Sequence, residues 1–184
     1  MDTQKTLETW LAQEQELRAL IAQGHGPGVP NPQWIAQRSG LELIQAMMRG
    51  EVQSPSMGAT LNFALIEAEP GRAVFQGMPA DGHLNPMGTV HGGWYASMLD
   101  SAVGCAVHTL LPVGRGYTTA ELSVNLVRAI PRDKVQRVRA EGKALHCGRQ
   151  LATAEGRLYG PDGTLYAHAT TTCLVFELPS ARQA

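Results

Sequence analysis

The sequence predicts an α+β fold in which an antiparallel sheet wraps around a single apolar helix. Three observations predict it. Two β-rich runs come first, one long apolar stretch follows, and four more β-rich runs complete the chain. The apolar stretch, Trp94 to Val113, is hydrophobic on nearly every side and must therefore be surrounded. Compact turn signals separate the runs, namely Glu69-Pro70-Gly71, Ile130-Pro131-Arg132-Asp133 and Pro161-Asp162-Gly163. A chain of 184 residues accommodates one ordinary domain with an extension. The division expected is a helical extension and linker over 1–55 and the main domain over 56–184, with no internal repeat.

Within the extension, Leu7, Trp10, Leu11, Leu17, Leu20 and Ile21 recur at helical spacing among Gln, Glu and Arg. They predict an amphipathic helix over 3–23 that packs on the main body. Three glycines and three prolines between Gly24 and Pro32 forbid its continuation and mark an irregular arm. A short helix over 41–48 follows, with Leu41, Ile44, Met47 and Met48 as its apolar side. The period then changes, and strands are expected over 60–68 and 72–78. The apolar helix spans 92–111, stopped by Pro112 and Gly114. Four further strands are expected over 117–129, 134–145, 149–159 and 165–178.

Composition narrows the function. A hydrophobic fraction of 43% is globular, and a formal net charge of -1 offers no global attraction to nucleic acid or to an anionic membrane. The start, Met1-Asp2-Thr3-Gln4-Lys5, lacks a basic segment before an apolar run, so no secretory signal is read and a cytoplasmic location is expected. Asp100 inside the apolar stretch argues for a core helix over a membrane span. Cys105, Cys147 and Cys173 form no C-x-x-C pair, which favours small buried hydrophobes over a disulfide framework or zinc site.

Asp100 carries the most information. No Lys or Arg stands between Arg72 and Arg115, so the local chain offers this carboxylate no partner. Burying it unpaired costs several kcal/mol and is tolerated where the group is used. A solvent-facing position or an ion pair from a distant strand would also accommodate it. The second feature is Gly88-Thr89-Val90-His91-Gly92-Gly93, which leads directly into the helix. Backbone N–H groups at a helix start favour developing negative charge, the chemistry of an oxyanion hole. Paired glycines also serve a helix entry that needs unusual backbone angles. Other constellations fall short. His146 and Cys147 are strand neighbours on opposite faces, no G-x-S-x-G elbow is present, and His83, His91, His108 and Asp100 match no metal-ligand spacing.

The run Asn85-Pro86-Met87-Gly88-Thr89-Val90-His91-Gly92-Gly93, with Asp100 nine residues after the histidine, resembles the PaaI-type hotdog-fold acyl-CoA thioesterases. The likeness extends from about Gly58 to Phe176 and includes the closing strand Ala167-His168-Ala169-Thr170-Thr171-Thr172; residues 1–50 carry no motif of the family. It implies a hotdog fold and hydrolysis of an acyl-CoA, with no cofactor beyond the coenzyme A moiety of the substrate. It also implies Asp100 as nucleophile or general base and the Gly92 N–H as the donor to the thioester oxygen. Asn85 would polarise the carbonyl or orient water, and His91 would support the loop. Thr119, or Thr118 if the register after the helix slips by one, would position the attacking water.

Helix geometry adds a constraint of its own. Gly92 and Asp100 are eight residues apart, about 12 Å along a helix axis, so one thioester cannot touch both in one chain. A two-fold homodimer is therefore expected; a dimer of dimers is the further assembly expected, though the helix geometry does not bear on it. Coenzyme A brings phosphates, and eight basic residues against three acidic ones between Arg128 and Arg157 suggest a patch for them, with Arg128 and Arg149 as candidates. The same count also describes a solvated sheet face. A hotdog hydratase or dehydratase and a non-catalytic acyl-CoA sensor are the competing functions, and the retained Asp100 favours the hydrolase over the sensor.

Overall fold

The computed structural model describes residues 2–179. Met1 and the last five residues of the expected 56–184 span lie outside the described residues. Four helices precede the sheet: α1 (Thr3–Gln23), α2 (Pro32–Ala36), α3 (Gly40–Met48) and α4 (Ser56–Leu61). Then come β1 (Phe63–Glu69), β2 (Arg72–Gly77), the long helix α5 (Gly92–His108), β3 (Arg115–Leu126), β4 (Val138–Cys147), β5 (Leu151–Tyr159) and β6 (Leu165–Glu177). The six strands form one antiparallel sheet in the order β1-β2-β4-β5-β6-β3. The predicted α+β architecture, a hotdog fold with helical extension, is the one observed.

One face of the sheet holds α5. Trp94, Tyr95, Met98, Leu99 and Ala102 of the helix share a core with Ala140, Leu158 and Ala169 of the strands. Helix and sheet approach so closely that a Cβ on Gly142 would lie 2.2 Å from the Ala102 carbonyl oxygen. Only glycine fits there. The helix is shorter than read, because the chain leaves it at Thr109, whose hydroxyl donates to the Ala106 carbonyl and accepts the Gly71 N–H.

The opposite face holds α1. Asp2 caps the helix by accepting the Gln4 and Lys5 N–H groups. Gln76, Arg139 and Tyr159 stand side by side across β2, β4 and β5, and α1 lays Trp10 and Glu14 on them. The Trp10 and Tyr159 rings meet edge to face at 5.9 Å, and the Arg139 guanidinium lies 4.4 Å over the Trp10 ring. Gln76 Nε2 donates to the Trp10 carbonyl and to Glu14 Oε2, both at 2.8 Å.

Two helices escaped the sequence reading. Pro32–Ala36 begins inside the expected arm, with Asn31 capping it. Residues 56–61 are helical, and Asn62 ends that helix at φ +55°, so the first strand starts at Phe63 and not at Thr60. A β-rich composition at Thr60 and Leu61 lost to local helix closure. The three cysteines are free, and of them Cys173 is buried whereas Cys105 and Cys147 are only partly so.

Candidate active site

The loop before α5 is tied by its own side chains. Asn85 Oδ1 accepts the Met87 and Thr89 N–H groups at 3.0 and 3.2 Å, and Asn85 Nδ2 donates to Thr89 Oγ1 at 2.8 Å. Gly88 occupies φ +76° at the tip. His91 is the N-cap of α5, with Nδ1 accepting the Gly93 N–H at 2.9 Å. The Gly92 N–H donates to no described residue and stands at the positive end of a 17-residue helix. Asn85 thus ties the turn through its side-chain amide.

Asp100 is half-buried on α5, eight residues on. Thr119 Oγ1 donates to its Oδ1 at 2.9 Å. Thr118 is exposed, one position along β3 and hence on the other face. The strand register therefore brings Thr119 to the carboxylate and takes Thr118 away.

Asp100, Ser101, Cys105 and Tyr117 line one side of a cavity of about 460 Å³. Its other walls come from β1, β2 and the extension. Burial, with the Asp100 charge adding to it, pushes the Cys105 thiol up to about 12, so it stays a thiol near pH 7. His108, packed 5.2 Å from the Tyr117 ring, is lowered to about 4 by burial and stands neutral near pH 7. Among the described residues no group of His, Cys, Asp and Glu is arranged to hold a metal ion. Sequence reasoning missed the cavity wall contributed by the extension. Its signal was the apolar side of the second short helix, which reads as ordinary packing.

The expected basic patch is dispersed. Arg132 pairs with Asp81, Arg137 with Glu14, Arg139 with Glu67 and Lys143 with Glu141. Arg139 is buried under α1. Arg128 and Arg149 are both exposed, but Arg128 follows the end of β3 whereas the Arg149 carbonyl accepts from Arg115 at its start. A strand of 12 residues, about 40 Å, separates them, so one chain cannot close both on one phosphate group. The cause is antiparallel folding, which spreads a sequence-local charge excess along the full length of the strands.

Comparison with known proteins places this geometry. Residues 87–167 match the thioesterase superfamily. The matched segment opens two residues after Asn85, contains Gly92, Asp100 and Thr119, and ends in β6. Among solved structures, a phenylacetic acid degradation-related putative thioesterase from Ralstonia eutropha JMP134 is 28% identical. It has a TM-score of 0.64 and covers 71% of this chain and 98% of its own. A mutant of the phenylacetic acid degradation protein PaaI from Thermus thermophilus is 26% identical, with a TM-score of 0.58 and coverage of 65% and 97%. A hypothetical thioesterase from Streptococcus pneumoniae TIGR4, solved with coenzyme A, shares the fold at 24% identity, a TM-score of 0.57 and coverage of 65% and 89%. No curated protein matches the chain. The PaaI-type resemblance carried by the motif is thus present in the fold as well, and the segment that matches the thioesterase superfamily holds the motif from Met87 onward.

Proposed function

We propose that this protein hydrolyses the thioester of an acyl-CoA, with composite sites shared between two chains. The observation that carries the reading is the placement of Asp100 against Thr119 at a cavity wall, with the unpaired Gly92 N–H eight residues away on the same helix. Asp100 faces Thr119 near the start of β3, whereas a Cβ on Gly92 would lie 3.1 Å from Leu126 at its end. β3 is also a free edge of the sheet, 12 residues long, with Leu126 and Val127 each 54% exposed just where it ends. An edge of that length calls for a cover. Antiparallel pairing of two β3 edges about a two-fold axis would set the Gly92 end of one chain beside the Asp100 end of the other.

In that arrangement the Gly92 N–H of one chain holds the thioester oxygen as it becomes negative, and Asp100 of the other serves the carbonyl carbon. Asp100 either attacks that carbon itself or removes a proton from the water that does. The C–S bond breaks, coenzyme A leaves as its thiol, and one water is consumed for each free acid formed. The coenzyme A seen with the Streptococcus pneumoniae protein supports the substrate class. Exposed Arg128 and Arg149 remain the candidate phosphate ligands, contributed at different ends of the sheet.

Release of free thiol from acyl-CoAs tests the activity. Asp100→Asn should fold and bind substrate but lose turnover by about a hundredfold or more, since shape is kept while the reacting charge is removed. Near-wild-type hydrolysis by that variant would overturn the assignment.

A further inference from the structure

Resting on the acyl-CoA reading above, we infer that residues 21–59 form the acyl-chain half of the site and select a flexible, uncharged aliphatic chain over a short or aromatic acyl group. The cavity that begins at Asp100 is walled by Ile21 of α1, by Ile44, Met47 and Met48 of α3, by Met57 of α4 and by Phe63 of β1. α3 lies against both α1 and α5, so the space it lines runs from the carboxylate-bearing helix outward to the end of α1. The part of the chain that carries no thioesterase motif therefore supplies most of the wall facing the thioesterase residues.

Three properties of that wall define the ligand. Its volume of about 460 Å³ has room for on the order of fifteen groups the size of a water or methylene, roughly twice what a phenylacetyl group would fill. The wall holds three methionines, Met47, Met48 and Met57, and unbranched thioether side chains conform to a flexible chain better than to a rigid ring. The cation in its wall, Arg18, is already paired with Glu14 at 2.7 Å and donates to Asn62 at 3.2 Å. A charged chain end would thus lose water without gaining a free partner. An acyl group on the order of ten to fourteen carbons long fits these terms.

The test compares acetyl-, phenylacetyl-, octanoyl-, decanoyl- and dodecanoyl-CoA with the full-length protein. Decanoyl-CoA should exceed both acetyl- and phenylacetyl-CoA in kcat/KM. Ala22 lines the same wall from an exposed position, so Ala22→Phe narrows it without disturbing the core. That variant should lower kcat/KM for decanoyl-CoA about tenfold and leave acetyl-CoA within about twofold, and Met48→Ala should move the preference to longer chains. A preference for phenylacetyl-CoA, or a chain-length profile that neither variant moves, would overturn the inference while leaving the hydrolase reading intact. Turnover of no acyl-CoA would overturn the hydrolase reading instead. Binding then decides this one, because decanoyl-CoA should bind Asp100→Asn at least tenfold more tightly than coenzyme A alone, and adding Ala22→Phe should abolish the difference. Equal binding of the two would sink the acyl-chain assignment.

Discussion

Among the described residues the hydrogen bond to the Asp100 carboxylate comes from the Thr119 hydroxyl at 2.9 Å, whereas the adjacent Thr118 lies on the other face of the strand. A donor on the carboxylate fixes its orientation. Thr119→Ala should lower kcat by about tenfold to a hundredfold, less than Asp100→Asn, since a positioning group contributes less than the reacting one. Thr118→Ala should stay within about twofold, because exposed substitutions away from special contacts have small effects. The two variants are read side by side in a steady-state assay with decanoyl-CoA. A larger loss in Thr118→Ala would place the hydroxyl one residue earlier.

At the level of elements, α1 is fastened to the sheet by charge as well as by apolar contact. Glu14 is 3% exposed and accepts from Gln76, Arg137 and Arg18. Burial raises its carboxyl pKa, but these hydrogen bonds together outweigh burial and hold it below the ordinary 4.5. The folded carboxylate is thus more acidic than the unfolded one. Its contribution is complete above the unfolded value and lost as pH falls through the lower folded value. Urea unfolding should show wild-type stability dropping below about pH 4.5 and a smaller drop for Glu14→Gln. At pH 7, Glu14→Ala should cost about 3 kcal/mol, because the buried Gln76 amide and the facing guanidiniums lose their acceptor. An unchanged acid limb in Glu14→Gln would mean that α1 docks through Trp10 alone.

For the whole molecule the question is whether one chain makes one site. Gly92 and Asp100 both lie on the unbroken helix 92–108, about 12 Å apart along its axis. Asp100→Asn and Gly92→Val are each expected to be inactive. A mixed dimer carries one site with both lesions and one with neither. After random exchange the mixture should therefore recover activity approaching about a quarter of the wild-type rate. No recovery, with exchange demonstrated and both variants folded, would place Gly92 and Asp100 in service of the same chain or misassign one of them.

Much of this molecule was legible in order along the chain. Helical spacing of Leu7, Trp10, Leu17 and Ile21 gave α1 with its observed ends, and the apolar run around Asp100 gave the surrounded helix, because periodicity and punctuation are local properties. The motif from Asn85 to Asp100 pointed to the thioesterase superfamily for the same reason. What was not legible depends on contacts between distant residues. Helix 56–61 displaced a strand start, and strand pairing spread the Arg128–Arg157 excess along the sheet, with four of its eight cations in separate ion pairs. Pleat alternation, tied to the packing of β3 on α5, chose Thr119 over Thr118. Above all, Ile21, Met48 and Asp100 are scattered over 80 residues, and nothing local tells an apolar helix face that it borders an open cavity. The sequence by itself determined most of the elements and set one carboxylate, Asp100, inside the apolar helix. Only the tertiary structure decided what surrounds that carboxylate, because a wall is made by chain segments that meet through folding and not through adjacency.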